Sequence, residues 1–428
     1  MRRVLFGLCL WLLGTVPPPA WSQVYEYAYP GSDKPDELIY PVRHIMWVPP
    51  GVQTLRGIIV HQHGCGAGAC KGGETAAFDL HWRELARRND CALLGPSYFQ
   101  KDAEDCRKWC DPRNGSEVVF LKALGELAQK TGHPEIKNVP WCLWGHSGGG
   151  FWASILMARH PGRIVAVWCR SGTAFPAWTS GQIPKVMVPK EAYAIPIVLN
   201  PGFLEKGDKR FHGAWTGAEA MFAAWRQNNA PALFAPDPRS AHDCGDSRYL
   251  AIPWFDACLK ARLGPEGLKP VNLYSGFFVG PTHMPVFAQD FSGDLPTAGW
   301  IPTKAIADAF VDYVVSGTVA DLTSPKAPTV RVLSIMGKKV TLGWDAEADF
   351  ESGIRSFEIR KNGKRIMTLP EKPVASFGRP LFQGLSYHDT PQALLPKMEY
   401  TDSNGEEGDQ YEVITLNGAG LRSLPGKP

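Results

Sequence analysis

The chain has 428 residues, of which 44% are hydrophobic and 20% are charged, so it can bury a sizeable core and is not a disordered polymer. Its formal net charge is +3, and two of these charges are Arg2 and Arg3 at the N-terminus. This near-neutral balance gives no reason to expect binding to nucleic acid or to an acidic membrane surface.

The first 22 residues have the pattern of a cleaved secretory signal. Arg2 and Arg3 precede the apolar run VLFGLCLWLLGTV, and Ala20 and Ser22 place small residues at the two positions that a signal peptidase recognises. We therefore predict a signal peptide over residues 1–22 and a secreted or periplasmic protein. No stretch is long enough to span a bilayer, so an integral membrane protein is not expected. Lipid attachment at Cys9 is the alternative.

From residue 57 onward, short β-rich runs alternate with helical patterns, which predicts a parallel sheet covered by helices in a domain over residues 23–320. The predicted strands are 57–63, 91–99, 139–145, 163–169, 196–200 and 231–236. The predicted helices lie near 75–88, 117–131, 150–160, 217–229, 247–262 and 303–316. Ser116 is placed to cap the second of these helices.

The residues after about position 320 have a different pattern. Alternating β-branched residues and a hairpin turn at Asn362-Gly363 predict a separate all-β sandwich over residues 321–428. KVTLGWDAEAD and YEVITLNGAGLRS resemble the second and penultimate strands of a fibronectin type III domain. That resemblance implies that Tyr411, Val413 and Thr415 face the core, and no catalytic group is expected in this unit.

Nine cysteines remain after Cys9, in a chain whose predicted export permits disulfides. We predict two disulfides within or between the loops that carry Cys65, Cys70, Cys106 and Cys110. Buried thiols are predicted for the strand-like runs, at Cys91, Cys142 and Cys169. A helical pattern separates Cys244 from Cys258, which holds the two too far apart to pair. The cysteine and histidine spacing predicts no metal site, and no cofactor is expected.

The stretch WCLWGHSGGGFW contains a serine in the pattern G-x-S-x-G, with a strand predicted before it and a helix after it. In this context the serine, Ser147, would stand on a sharp turn with its hydroxyl exposed. Here the chain resembles an α/β hydrolase, over roughly residues 40 to 318. The resemblance implies that Ser147 is the nucleophile, and the alternative is a packing turn in a non-catalytic protein.

The same resemblance implies that an acid and then a histidine follow the serine in the chain. His242 lies in the loop after the last predicted strand and is the candidate base, with His283 as the alternative. The acid would lie in the loop after strand 196–200. Glu205 matches the spacing after Gly202 that such hydrolases show, and Asp208 is the alternative acid.

Two backbone N–H groups are candidates to bind the oxyanion that forms on an attacked carbonyl. One belongs to Gly148, which follows the nucleophile at the start of a helix. The other belongs to Cys65, since His63-Gly64-Cys65-Gly66 resembles the HGGG-type segment of hydrolases. A phosphate cradle is the alternative for this loop, but it lacks the Walker pattern.

Aromatic side chains cluster near these loops, and some could form an apolar cleft in or beside segment 171–194. The candidate substrate-binding residues are Tyr98, Phe151, Trp178 and Phe203. The sequence thus predicts a secreted hydrolase that cleaves a carboxylic ester, small or polymer-linked, through an acyl-enzyme on Ser147. The alternatives are a serine peptidase of the same fold and a non-catalytic surface-binding protein. The sequence does not indicate an oligomeric state.

Overall fold

An eight-stranded sheet forms the centre of the molecule in the computed structural model, which describes residues 24–67, 73, 76–265, 267–280, 284–371 and 398–428. The predicted signal peptide, Cys70 and His283 lie outside the described residues. The strands are β1 (Val24–Tyr29), β2 (Val42–Trp47), β3 (Gly57–Gln62), β4 (Cys91–Tyr98), β5 (Trp141–His146), β6 (Ile164–Arg170), β7 (Ile197–Asn200) and β8 (Ala232–Phe234).

The strand order in this sheet is β1-β2-β4-β3-β5-β6-β7-β8. Strand β2 pairs antiparallel with both β1 and β4, whereas all pairs from β4 through β3 to β8 are parallel. Every residue of β3, β4, β5 and β6 is buried, because helices cover both faces of the parallel part. The architecture is that of an α/β hydrolase, as the sequence predicts.

Eight helices are described along the chain. They are α1 (Leu80–Arg88), α2 (Arg107–Cys110), α3 (Ser116–Thr131), α4 (Gly148–Arg159), α5 (Phe175–Thr179), α6 (His212–Gln227), α7 (Arg248–Arg262) and α8 (Lys304–Ser316). The six predicted helices are all present, with boundary shifts of up to five residues. The predicted cap of α3 is wrong: Gly115, at φ 96°, is the cap residue, and the Ser116 hydroxyl donates to the Trp109 carbonyl instead.

Several short or edge elements were not predicted. The edge strands β1 and β2 precede the region where the alternation becomes clear. Two further small sheets follow α7, one of two strands and one of three, in which each strand has two or three residues. They are β9 (Leu263–Gly264) with β10 (Gly267–Leu268), and β11 (Phe277–Val279) between β12 (Pro285–Phe287) and β13 (Gly299–Ile301). Strands of two or three residues are too short to show a hydrophobic periodicity in the sequence.

The C-terminal region contains two three-stranded antiparallel sheets, β14-β15-β18 and β17-β16-β19. Their strands are β14 (Thr329–Met336), β15 (Lys339–Asp345), β16 (Ser356–Lys361), β17 (Lys364–Leu369), β18 (Glu399–Asp402) and β19 (Tyr411–Leu416). Trp344, Phe357 and Val413 pack in the shared core, and Thr415 is also buried. Asn362 and Gly363 both have positive φ and join β16 to β17, as predicted. Two sheets on one core fit a small β domain.

This β domain packs against helix α1, which belongs to the region of the main sheet. Leu80 is buried within the core cluster of the sandwich. A nitrogen of the His81 ring lies 2.7 Å from the Phe350 carbonyl oxygen, and the Arg88 guanidinium lies 3.9 Å from the centre of the Phe350 ring. A cavity of about 280 Å³ remains at this junction, between Trp47 and Arg83 on one side and residues of the sandwich on the other.

One disulfide, Cys65–Cys106, joins two loops at the carboxyl edge of the sheet. The second predicted loop disulfide has no counterpart among the described cysteines, since Cys110 is a buried thiol. The other predicted thiols, at Cys91, Cys142 and Cys169, are buried and reduced, and no bond joins Cys244 to Cys258. Among the described residues, no helix has the length and apolar character required to cross a membrane.

Candidate active site

Ser147 stands on the turn between β5 and α4. Its φ of 53° lies in the left-handed region, which is rare for residues with a side chain and costs backbone strain. The turn is held by a hydrogen bond from the Ser147 amide to the Arg170 carbonyl, at 2.8 Å. A Cβ atom on Gly64 would come within 2.8 Å of the Ser147 Cβ, so only glycine lets the loop after β3 pass this close.

His242 joins Ser147 to Glu205 through two hydrogen bonds. The His242 Nε2 atom lies 2.8 Å from the Ser147 Oγ, and the His242 Nδ1 atom lies 2.5 Å from a Glu205 carboxylate oxygen. A carboxylate only accepts hydrogen bonds, so Nδ1 carries the proton and Nε2 is left to accept from the serine hydroxyl. This arrangement lets the imidazole take up the serine proton while the carboxylate orients the ring and stabilises its charged form.

Of the two candidate acids, the structure brings Glu205 to the histidine. Glu205 is fully buried, and its second carboxylate oxygen accepts the Gly202 amide at 2.9 Å. Asp208 instead accepts the backbone amides of Phe211 and Arg210, each at 2.7 Å. These two hydrogen bonds, the one from Phe211 first, lower the pKa of Asp208. Asp208 therefore shapes the turn before α6.

Phe211 is a site residue that the sequence analysis missed. Its ring is parallel to the His242 ring, with 3.8 Å between the ring centroids and 4° between the ring planes. The Arg210 guanidinium lies 4.7 Å from the centroid of the Phe211 ring. Because the two rings are parallel and in contact, the stack opposes tilting of the imidazole ring out of its plane. Nothing in the local sequence distinguishes Phe211 from other aromatic residues of this loop.

The two residues predicted to supply the oxyanion donors, Gly148 and Cys65, lie on neighbouring segments. Gly148 begins α4, so its amide is among the first-turn N–H groups that have no partner within the helix. A Cβ atom on Gly148 would come within 2.3 Å of the Cys65 sulfur, so the loop of Cys65 lies directly against the start of the helix. The disulfide from Cys65 to Cys106 ties this loop to the one that follows β4.

The four predicted substrate-binding residues separate into two groups. Tyr98 is 3% exposed and stacks on Trp109 at 4.4 Å, and Trp178 is 6% exposed, so both pack in the core rather than face a cleft. Their burial corrects the prediction for these two residues. Phe151 is half-buried against the same core. Phe203 is 50% exposed beside Glu205, and its neighbour Leu204, which the sequence analysis did not select, is 55% exposed.

Two clusters of described residues place possible metal ligands within 4.8 Å of one another. One consists of Cys65, Cys106 and Cys110, and the disulfide already occupies two of these sulfurs. The other consists of Asp321, Asp349 and Glu351 in the C-terminal region. Neither cluster includes Ser147, His242 or Glu205.

No protein-family model matches this chain. No curated protein matches it either. Among solved structures, the chain is similar to a ferulic acid esterase, at 13% identity and a TM-score of 0.40 over 55% of this chain and 98% of the other. It is also similar to a siderophore hydrolase from Aspergillus nidulans, at 14% identity and a TM-score of 0.37 over 57% and 98% of the two chains.

A third similar structure is poly(aspartic acid) hydrolase-1 from Sphingomonas sp. KT-1, at 16% identity and a TM-score of 0.36 over 51% of this chain and 93% of the other. All three likenesses are confined to about half of this chain. Because the identities and scores are low, the fold assignment rests on the strand order of the main sheet.

Proposed function

We propose that this chain is an exported serine hydrolase that cleaves carboxylic esters through an acyl-enzyme on Ser147. The observation that carries the proposal is the chain of hydrogen bonds from Ser147 through His242 to Glu205. A serine hydroxyl is a weak nucleophile until an adjacent base removes its proton, and a buried carboxylate that holds the base completes the arrangement.

The proposed reaction has two halves. In the first, the Ser147 oxygen attacks the ester carbonyl carbon as His242 accepts the serine proton, and the amides of Gly148 and Cys65 stabilise the negative oxygen. The imidazolium then gives its proton to the leaving alcohol, and the acyl group remains on Ser147. In the second half, His242 takes a proton from a water whose oxygen attacks the acyl carbon. The imidazolium then returns the proton to the Ser147 oxygen as its bond to the acyl carbon breaks, which releases the acid.

Two exposed apolar residues next to Glu205 in the chain favour an apolar acyl or aryl group in the substrate. They are Phe203 and Leu204, which are 50% and 55% exposed. Adjacent exposed apolar side chains can contribute to a binding surface. A peptide bond is a poorer substrate for such a site, because amide cleavage requires protonation of a worse leaving group.

The direct test is turnover of matched esters and amides by the purified protein. We expect Ser147→Ala to abolish hydrolysis of aryl and alkyl esters, whereas Ser154→Ala, which changes a buried serine elsewhere in α4, should retain it. Hydrolysis of the amides at rates equal to the esters would favour a peptidase. Absence of turnover across the whole panel would favour a binding protein.

Export is part of the proposal and has its own test. It is supported by the signal pattern over residues 1–22 and by the Cys65–Cys106 disulfide, since such bonds persist in oxidising compartments. N-terminal sequencing of the protein recovered from outside the cytoplasm should begin near Gln23. Recovery of the full chain with Met1 in the cytoplasm would contradict export and leave the catalytic proposal intact.

A further inference from the structure

Arg170 is a wholly buried charged residue at the end of β6, next to the nucleophile strand. Its backbone carbonyl accepts the amide of Ser147, as described above. Residue 170 therefore already takes part in holding the turn of the nucleophile. Its side chain extends away from that turn toward the loop of His242.

The Arg170 guanidinium donates hydrogen bonds to both residues that flank His242 in the chain. Its Nε atom lies 2.7 Å from the Asp243 carbonyl oxygen, and its Nη2 atom lies 3.1 Å from the Ala241 carbonyl oxygen. Nη2 also donates to the Ser240 hydroxyl at 2.6 Å. One rigid, planar group thus holds the backbone on each side of the histidine through two hydrogen bonds and the Ser240 side chain through a third.

The remaining contact of the guanidinium reaches the strand that leads to the acid. The Nη1 atom donates to the Asn200 carbonyl at 2.9 Å, at the end of β7. Asn200 is itself anchored, because its side-chain amide donates to the Tyr313 hydroxyl at 3.1 Å. The loop that begins at the next residue carries Glu205. One residue therefore contacts the segments of all three members of the triad.

We propose that Arg170 is a positioning residue that sets the distances among Ser147, His242 and Glu205, an inference that rests on the proposed function. Burial of a charge is destabilising unless hydrogen bonds offset the loss of hydration, and the four acceptors supply that compensation. Lysine cannot reproduce these contacts, because a single ammonium group does not present the fork of donors that the guanidinium does.

The test compares Arg170→Met and Arg170→Lys with Arg226→Met. Arg226 is the matched control, since it is another buried arginine of the same domain that donates to backbone carbonyls, those of Ala230 and Leu295. Displacement of catalytic groups by about 1 Å lowers turnover by about 10²-fold, so we expect that loss in kcat for Arg170→Met with KM within about threefold of the wild type. Arg170→Lys should remain impaired, and Arg226→Met should lower the Tm but keep its kcat.

A milder variant covers the case in which Arg170→Met does not fold. Ser240→Ala removes one of the four acceptors, and its kcat should fall several-fold at unchanged KM. The rate of labelling by a fluorophosphonate should fall in parallel, because this reaction needs the aligned triad but not the ester pocket. Wild-type kcat in folded Arg170→Met or in Ser240→Ala would overturn the inference, as would an equal loss of kcat in Arg226→Met. An unlabelled wild type would instead overturn the proposed function itself.

Discussion

The carboxyl edge of the main sheet and the junction with the β domain use charged residues in opposite ways. At the sheet edge, Glu205 and Arg170 are fully buried, and each makes several hydrogen bonds of defined geometry. At the junction, Arg87 pairs with Glu347 at 3.3 Å, and about a third or more of each side chain is exposed. Exposed pairs of this kind contribute about 0–1 kcal/mol.

The difference shows where this molecule requires exact geometry. A buried charge is retained only where a network of hydrogen bonds holds it, so its position is set to within fractions of an ångström. The junction relies on the apolar contact of Leu80, on one hydrogen-bond contact between the His81 ring and the Phe350 carbonyl, and on partly exposed charges that tolerate movement. Changes at the sheet edge should therefore alter turnover, whereas changes at the junction should alter stability alone.

The largest effect is expected from His242→Ala. Removal of a triad base elsewhere costs on the order of 10³-fold or more in turnover, and no other described side chain is hydrogen-bonded to the Ser147 hydroxyl. The steady-state kcat on an aryl ester measures this loss. Because the His242 side chain is only 9% exposed and is hydrogen-bonded to the buried Glu205, the Tm of this variant is measured alongside to establish that it is folded. A kcat within tenfold of the wild type would assign the base to another residue, with His283 the first to examine.

Substitution of the acid Glu205 should have a smaller effect on kcat, and Asp208 provides a matched control. Glu205→Gln should lower kcat by about 10²-fold or more, since the imidazolium that forms in the reaction loses its buried counter-charge. Asp208→Asn should change kcat little, because Asp208 bonds only to backbone amides in the turn. The reverse ranking of these two variants would show that Asp208 is the functional acid and that the sheet edge is arranged differently in solution.

The disulfide beside the oxyanion loop should contribute to stability at the sheet edge. It closes a loop of 41 residues, for which the chain-entropy estimate is about 3–4 kcal/mol. We expect the double variant Cys65→Ser/Cys106→Ser to unfold at lower denaturant concentration and to lose part of its kcat. Cys110→Ser is the matched control, since it removes the neighbouring buried thiol and leaves the bond intact. Equal denaturant midpoints for the double variant and wild type would contradict this role.

The smallest effect is expected at Asp349 in the C-terminal region, away from the sheet edge, and depends on pH. Burial, with a further contribution from the neighbouring charges of Asp321 and Glu351, raises the pKa of Asp349 to about 7 from its ordinary 3.8. Between these two values the folded state binds a proton that the unfolded state releases, so stability falls as pH rises from about 4 to about 7 and then levels off. Asp349→Asn cannot ionise.

The Tm measured from pH 4.5 to 8 tests this expectation. Between pH 4.5 and 8, the Tm of the wild type should fall by more than that of Asp349→Asn. The kcat on esters should be the same for both proteins at any one pH. Parallel Tm curves would show that Asp349 does not titrate near pH 7. A change in kcat would show that the ionisation of Asp349 in the C-terminal region affects the active site.

The sequence predicted the parts of this molecule that carry a local pattern. Strands β3 to β8 and the six longer helices were predicted from their periodicity, and Ser147, His242 and Glu205 from a motif and their order in the chain. The distances among these three residues depend on the folded backbone, so a local sequence pattern does not predict them.

Contacts between residues that are far apart in the chain were not predicted from the sequence. Phe211 and Arg170 contact the loop of His242, which lies about 30 residues after Phe211 and about 70 residues after Arg170. A local sequence pattern does not predict contacts over such separations. Tyr98 and Trp178 were predicted to line a cleft but pack in the core. The sequence alone does not distinguish an aromatic side chain that binds substrate from one that packs in the core. The second disulfide was predicted from loop composition, which does not fix the distance between two sulfurs.

The central claim is that Ser147 is a nucleophile activated by its neighbours, and covalent labelling tests it most directly. The purified mature protein is treated with a fluorophosphonate probe, and the modified residue is located by peptide mass spectrometry. The account predicts a single adduct on Ser147, its absence in Ser147→Ala, and much slower formation in His242→Ala. Labelling at another serine, or equal labelling of wild type and Ser147→Ala, would contradict it.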